Sequence, residues 1–160
     1  MKPIIFNTEM LRAILDGRKT QTRRLHGFGD KTAFEVGDVL YIRETWAKIE
    51  DDGCYVYKAD FPPEKAARIR WHPSIHMPKE AARLFLRVTS AKIERLQDIT
   101  GMDCVKEGVS MDALTAVGED YARGIFSDIW DGTIEKDDLD KNGWDANPFV
   151  DAYEFEVIEA

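Results

Sequence analysis

The chain has 160 residues, 44% of them hydrophobic and 11% aromatic, which suits one globular domain over 1–160 that needs no metal or disulfide to fold. A mean hydropathy of −0.40 and the lack of any run of about 18 apolar residues exclude a membrane-spanning chain. The net charge of −8 disfavours a generic nucleic-acid coat, yet residues 1–95 hold 18 Lys and Arg against 13 Asp and Glu, while 96–160 hold 4 against 17. Capture of a local anionic group by the basic half therefore stays open, beside the plainer reading of the acidic half as solvated helix surface. The apolar stretch near Met1 is too short for a signal-peptide core, and Cys54 and Cys104 form neither a disulfide framework nor a zinc motif. The expected location is the cytoplasm.

Ile4-Ile5-Phe6 reads as a short buried strand, followed by Asn7-Thr8, whose side-chain oxygens can cap a helix. Met10, Leu11, Ile14 and Leu15 recur at helical spacing and Gly17 supplies a stop, which predicts a helix over 8–16. Val36-Gly37-Asp38 is a turn feeding a strand over 39–47. In that strand Leu40, Ile42 and Trp46 share a face with Glu44, whose carboxylate then needs a partner. Asp51-Asp52-Gly53 signals a hairpin turn into a strand over 54–59. Prolines make 61–79 mostly loop, with at most one helical turn around 64–69. Segments 84–88 and 93–96 are strand-like on either side of the polar Thr89-Ser90. Thr100 and Asp103 stand in capping-box positions, with Gly108 as the stop. A longer helix over about 118–131 buries Tyr121, Ile125, Phe126, Ile129 and Trp130, and 137–143 is an acidic loop. Phe149, Tyr153, Phe155 and Val157 alternate with polar positions in a closing strand. Short, turn-linked strands in this order predict an α+β fold: a small curled sheet or barrel, mostly antiparallel, flanked by helices.

Four groupings can carry chemistry. Residues 18–24 hold Arg18, Lys19, Arg23 and Arg24 with the hydroxyls of Thr20 and Thr22. A desolvated lysine can take a proton from a hydroxyl, and Arg23 and Arg24 can hold a carboxylate or phosphate bidentately. The plainer alternative is an edge strand guarded by charges. A regular strand would turn Lys19 and Thr22 to opposite sides, so a shared site requires a turn or bulge, which Gly17 permits. The second grouping is a rigid loop, with Trp71, Ser74 and His76 as pocket-lining candidates or ordinary packing residues. With His26, His72 and His76 the only histidines, no metal centre is expected. Third, Arg43-Glu44-Thr45-Trp46 is either a buried ion pair beside a core indole or the rim of a ligand cavity. Fourth, Glu107 faces the unfavourable end of its helix dipole, and is either exposed or a desolvated acid or base. A phosphate-cradling Gly-rich loop, a Gly-x-Ser-x-Gly elbow and a dinucleotide fingerprint are all missing.

Ile14-Leu15-Asp16-Gly17-Arg18-Lys19-Thr20-Gln21-Thr22-Arg23, Val36-Gly37-Asp38-Val39-Leu40 and residues 96–109 with Glu107 resemble the ASCH domain of the PUA-like superfamily. Arg43-Glu44-Thr45-Trp46, Pro73-Ser74-Ile75-His76-Met77-Pro78 and Gly143-Trp144-Asp145-Ala146-Asn147-Pro148 extend the likeness nearly end to end, toward the longer ASCH proteins of bacteriophages and prophages. The resemblance implies a PUA-like β-barrel with a cleft beside it. Small bacterial members are amidohydrolases that deacetylate N4-acetylcytidine; the family was proposed to bind RNA, and some relatives are reported as ribonucleases. Their working lysine, threonine and glutamate match Lys19, Thr22 and Glu107. By similarity Thr22 is the nucleophile, Lys19 its base and Glu107 an orienting or proton-donating carboxylate. Arg18, Arg23, Arg24, Arg43, Glu44, Trp46, Trp71, Ser74 and His76 are the candidate substrate-binding residues. This chain is longer than the small amidohydrolases, with a Pro-rich insertion around 61–79 and an acidic helical one around 110–143 that can reshape the pocket.

The expected function is hydrolysis of an acylated nucleoside or nucleotide. The alternatives are a module that binds RNA or a modified base without turnover, and a metal-independent ribonuclease using Lys19 and Arg23. No cofactor, metal or membrane partner is expected, and the chain is expected to be a monomer or weak homodimer in a bacterial host.

Overall fold

The computed structural model describes residues 1–159. Strand β1 (Lys2–Ile5) leads into helix α1 (Thr8–Leu15), where Asn7 Oδ1 accepts from the Met10 amide at 2.8 Å. Gly17 leaves the helix with φ of +76°, a conformation that side chains with a Cβ rarely adopt. Leu11 and Ile14 pack with Phe6, Ile42 and Leu86 in an apolar cluster beneath the sheet.

Strand β2 (Gln21–Leu25) is followed by β3 (Val39–Arg43), and the strand expected over 39–47 breaks at Glu44. The Glu44 amide donates to the Met77 sulfur at 3.2 Å, and its carboxylate takes Arg83 Nε and Nη2 at 3.0 and 2.9 Å. A carboxylate only 1% exposed requires that pairing, and satisfying it lifts the chain out of the sheet. The continuation, β4 (Trp46–Lys48), leaves the five-stranded sheet to pair with β5 (Tyr55–Tyr57) in a separate hairpin, with Trp46 also bridging to His72 of the Pro-rich loop, and a 3₁₀ turn ends β5 before residue 59. One helical turn, α2 (Pro63–Ala66), interrupts the Pro-rich loop. Arg12 of α1 fastens the start of this loop by donating to the carbonyls of Lys58, Ala59 and Phe61.

Strand β6 (Phe85–Arg95) is continuous where two strands were expected, and the polar Thr89-Ser90 interruption is a register shift against its neighbour. Helix α3 (Gly101–Glu107) carries the predicted capping box, Thr100 and Asp103 each accepting from the other's amide, and ends at Gly108. Helix α4 (Glu119–Thr133) buries Ala122, Phe126 and Trp130 at four-residue spacing, while Tyr121, expected inside, is exposed. Segment 137–143 is not a loop: it forms a 3₁₀ turn and α5 (Leu139–Asn142), held to α4 by Trp130 Nε1 donating to the Asn142 carbonyl at 2.8 Å. In β7 (Phe149–Ile158) the expected alternation fails at both ends, where Phe149 and Val157 are exposed. Val150 of this strand packs among the helices while Tyr153 and Phe155 pack beneath the sheet, so both faces of its middle are covered.

The five-stranded sheet has the order β1-β3-β6-β7-β2, with β1 parallel to β3 and the other pairs antiparallel. The α+β class is as expected, but the barrel is not closed. Strands β1 and β2 are the two edges, and no ladder joins them among the described residues. One side chain bridges the seam instead: Arg24 Nη2 of β2 donates to the Ile5 carbonyl of β1 at 2.8 Å. No helix among the described residues is long and apolar enough to cross a membrane.

The connection between β2 and β3 is pinned by His26. Its Nδ1 lies 2.6 Å from Asp151 Oδ1 and its Nε2 2.9 Å from the Gly29 carbonyl. Two acceptors facing both ring nitrogens call for the doubly protonated ring. The Gly29 carbonyl first, and then Asp151, raise its pKa above the usual histidine range. Asp151 Oδ2 in turn accepts from the Ala33 amide, and the Tyr153 hydroxyl from the Phe34 amide. A raised folded pKa gives stabilisation that is complete below the unfolded value and lost as pH rises through the folded one. Hydrogen-exchange protection factors of the Ala33 and Phe34 amides are therefore expected to fall across that rise, and to lose this dependence in His26→Gln. Constant protection in the unmodified protein would disprove the pin.

Candidate active site

The site is assembled where residues 18–20 pass the C-terminus of α3. The last carbonyls of a helix have no partner within it. Here the Thr20 amide donates to the Lys106 carbonyl at 2.8 Å, Lys19 Nζ to the Glu107 carbonyl at 2.8 Å, and Arg18 Nη1 to the Gly108 carbonyl at 3.4 Å. An ammonium at the negative end of the helix dipole is favourable and offsets the Glu107 carboxylate there. Because β2 begins only at Gln21, Lys19 escapes the alternation that sends Thr22 and Arg24 to one face and Gln21 and Arg23 to the other.

A cavity of about 300 Å³ lies between this corner and α4. Lys19, Thr22, Arg23, Arg24 and Glu107 form its polar side, and Phe6, Met10, Phe126, Ile129 and Trp130 its apolar side. Lys19 Nζ donates to Glu107 Oε1 at 2.9 Å, to the Glu107 carbonyl and to the Gln21 carbonyl at 2.8 Å, so each of its three hydrogens has an acceptor. The other Glu107 oxygen takes Arg23 Nη1 at 2.9 Å. Arg23 also donates to Gln21 Oε1 and, through Nε and Nη2, to Glu94 Oε1.

Burial pushes the Lys19 ammonium down from its ordinary pKa, Glu107 pulls it back, and the net is downward. For Arg23 burial is outweighed by Glu107 and Glu94, and the net is upward. Arg24 makes no ion pair among the described residues, and burial lowers it. The Thr22 hydroxyl accepts from Arg24 Nε at 3.2 Å, and no hydrogen bond joins it to Lys19. The Phe6 ring stands near both cations, 5.8 Å from Lys19 Nζ and 4.8 Å from Arg24 Cζ. The buried Cys104 thiol is pushed up to about 12 by burial, which suits packing and not nucleophilic attack.

The other sequence candidates lie outside this cavity. Arg18 is exposed beside Asp16. Arg43 lines a neighbouring hollow, and Glu44 is the buried partner of Arg83. Trp46 Nε1 donates to the Pro73 carbonyl and Trp71 Nε1 to the Ala66 carbonyl, so both indoles hold the Pro-rich loop. Ser74 and His76 sit on a 3₁₀ turn of that loop, His76 exposed. Sequence reasoning missed Gln21, Glu94 and the α4 wall. Gln21 and Arg23 share a strand face, a parity that pointed to a common partner; nothing local marked Glu94. Among the described residues no three His, Cys, Asp or Glu side chains are grouped to hold a metal ion.

No family model matches the sequence, and no curated protein matches it. Among solved structures, a protein of the family DUF984 from Enterococcus faecalis is similar at 12% identity, covering 99% of this chain and 77% of that one with a TM-score of 0.54. An ASCH domain from Lactobacillus crispatus, the family the motifs resemble, is similar at 13% identity over 92% of this chain and 69% of that one, with a TM-score of 0.42. The Enterococcus likeness establishes a shared fold, in which the site described above stands on its own geometry.

Proposed function

We propose that this cavity is the active site of a hydrolase that removes an acyl group from the base of a modified nucleoside or nucleotide, with N4-acetylcytidine as the reference substrate. One observation carries this reading: Lys19, Thr22 and Glu107 converge on a single cavity whose opposite side is aromatic and aliphatic. A flat base suits that side, and polar groups aimed at one spot suit the acyl group.

In this mechanism Thr22 Oγ attacks the acyl carbonyl carbon and its proton passes to neutral Lys19 Nζ. The C–N bond then breaks, and Lys19 returns the proton to the leaving amine. Water, activated through the same Nζ, hydrolyses the acetyl-Thr22 ester to acetate and restores the hydroxyl. Before attack Thr22 exchanges its contact with Arg24 for one with Lys19. Glu107 fixes the position of Nζ, and the downward pull of burial makes the neutral amine accessible.

A base must be deprotonated to act, so kcat/KM for N4-acetylcytidine is expected to rise with pH along a limb whose midpoint lies below the usual lysine value. Acetate release measured across pH checks this. A flat profile, or activity retained in Lys19→Ala, removes Lys19 from the mechanism.

A second reading, a module that binds a modified base without turnover, is favoured by one feature. The hydrogens of Lys19 are all engaged, as in a static ion-pair network. Binding of N4-acetylcytidine without acetate release selects this reading, and a steep loss of RNA affinity with salt extends it to RNA.

A further inference from the structure

A second cavity of about 300 Å³ lies against the first, sharing Ile5, Arg24 and Leu25 with it. The two hollows therefore flank the same seam between β1 and β2, with the Arg24 side chain standing in it. Arg43, opposite Ile5 in the β1–β3 ladder, contributes another guanidinium to the second hollow.

These two cations differ from Lys19 and Arg23. Arg24 engages the Thr22 hydroxyl and the Ile5 carbonyl, and Arg43 has one long contact, 3.4 Å from Nη2 to the Tyr41 hydroxyl. Neither pairs with a carboxylate among the described residues. The Nε of Arg43 is buried and donates to nothing there. Buried N–H groups without an acceptor are costly and rare in folded proteins, which leaves the Arg43 guanidinium short of an acceptor beside the hollow it lines. Two guanidiniums lining one hollow, each keeping N–H groups that no carboxylate engages, suit an anion with several oxygens, above all a phosphate. Asp151 also lines this hollow, but its oxygens are engaged by His26, the Ala33 amide and the Tyr153 hydroxyl, with His26 supplying a compensating charge.

We propose that Arg24 and Arg43 form a phosphate subsite, so that the ligand is a nucleoside monophosphate whose base fills the first cavity and whose phosphate lies across the seam. The identity of the base rests on the reading of the first cavity given above; the subsite rests on the guanidinium pair. A net charge of −8 agrees with local capture of one phosphate better than with a long RNA tract.

Calorimetric titration with cytidine and cytidine monophosphate tests this in the unmodified protein and in Arg43→Gln. Arg43 is half-buried and makes no ion pair, so its replacement leaves the fold intact, which circular dichroism verifies. The monophosphate is expected to bind at least about tenfold more tightly than cytidine, the worth of one charge-assisted contact, and the ratio to fall to about one in Arg43→Gln. Inorganic phosphate is expected to compete with the monophosphate and not with cytidine. Equal affinities in the unmodified protein, or a preference that survives Arg43→Gln, overturn the subsite. A trinucleotide with a central cytidine that binds more tightly than the monophosphate overturns the mononucleotide as ligand. Acetate release separates the two proposals. A monophosphate preference without release from the acetylated nucleoside or its monophosphate keeps the subsite and removes hydrolysis; release from both with no preference does the reverse.

Discussion

Replacing Glu107 with alanine is expected to lower the unfolding free energy by about 3–5 kcal/mol, read from urea denaturation. Its two oxygens hold Lys19 and Arg23, whose side chains are 3% and 1% exposed. Removing the carboxylate leaves Lys19 with two backbone carbonyls and no counter-charge, and Arg23 with Glu94 at 3.0 Å and Asp103 at 3.6 Å. Uncompensated buried charge is far more costly than a missing surface pair. Lys19→Met is the informative comparison. It preserves the Glu107–Arg23 pair and fills similar volume, so its cost is expected to be the smaller of the two. A loss below about 1 kcal/mol in Glu107→Ala would show that water reaches the network and that Lys19 is not desolvated enough to act as a base.

How far the sequence could be read depended on how local each signal was. Helix α1 and the capping box of α3 were legible because the cap, the apolar spacing and the glycine stop all lie within a few residues. The break at Glu44 was not, since it depends on Arg83, 39 positions later. The joining of β6 across Thr89-Ser90 depends on β7, and the ordering of 137–143 on Trp130 of α4. The open barrel is a matter of pairing between strands at the chain's start, which no periodicity records. At the site, the cluster at residues 18–24 drew attention by composition and Glu107 by its place at a helix end, while the resemblance supplied their roles. Glu94 lies 71 positions from Arg23 and left no mark. The loop with Trp71, Ser74 and His76 lies outside this cavity: Trp71 donates within the loop and Trp46 of the hairpin donates to it, and composition does not separate such packing from a pocket wall.

Thr22→Val is expected to lower kcat for acetate release by at least about 10³-fold, because valine keeps the shape of threonine and lacks the attacking oxygen. The same oxygen accepts from Arg24 Nε, so a merely structural part for Thr22 has its own signature. If the hydroxyl served only to orient Arg24, losing it would raise KM for a phosphorylated substrate, spare the free nucleoside and leave kcat unchanged. A nucleophile predicts the opposite pattern, a fall in kcat for nucleoside and nucleotide alike with little change in cytidine affinity. Thr22→Ser, which restores an oxygen at the same position, is expected to recover much of the rate. Mass spectrometry of enzyme quenched during turnover should find an acetyl group on Thr22 and none in the valine variant. A valine variant that still releases acetate at the original rate would move attack to a water molecule, leaving Lys19 and Glu107 to activate it and Thr22 to hold Arg24 at the seam.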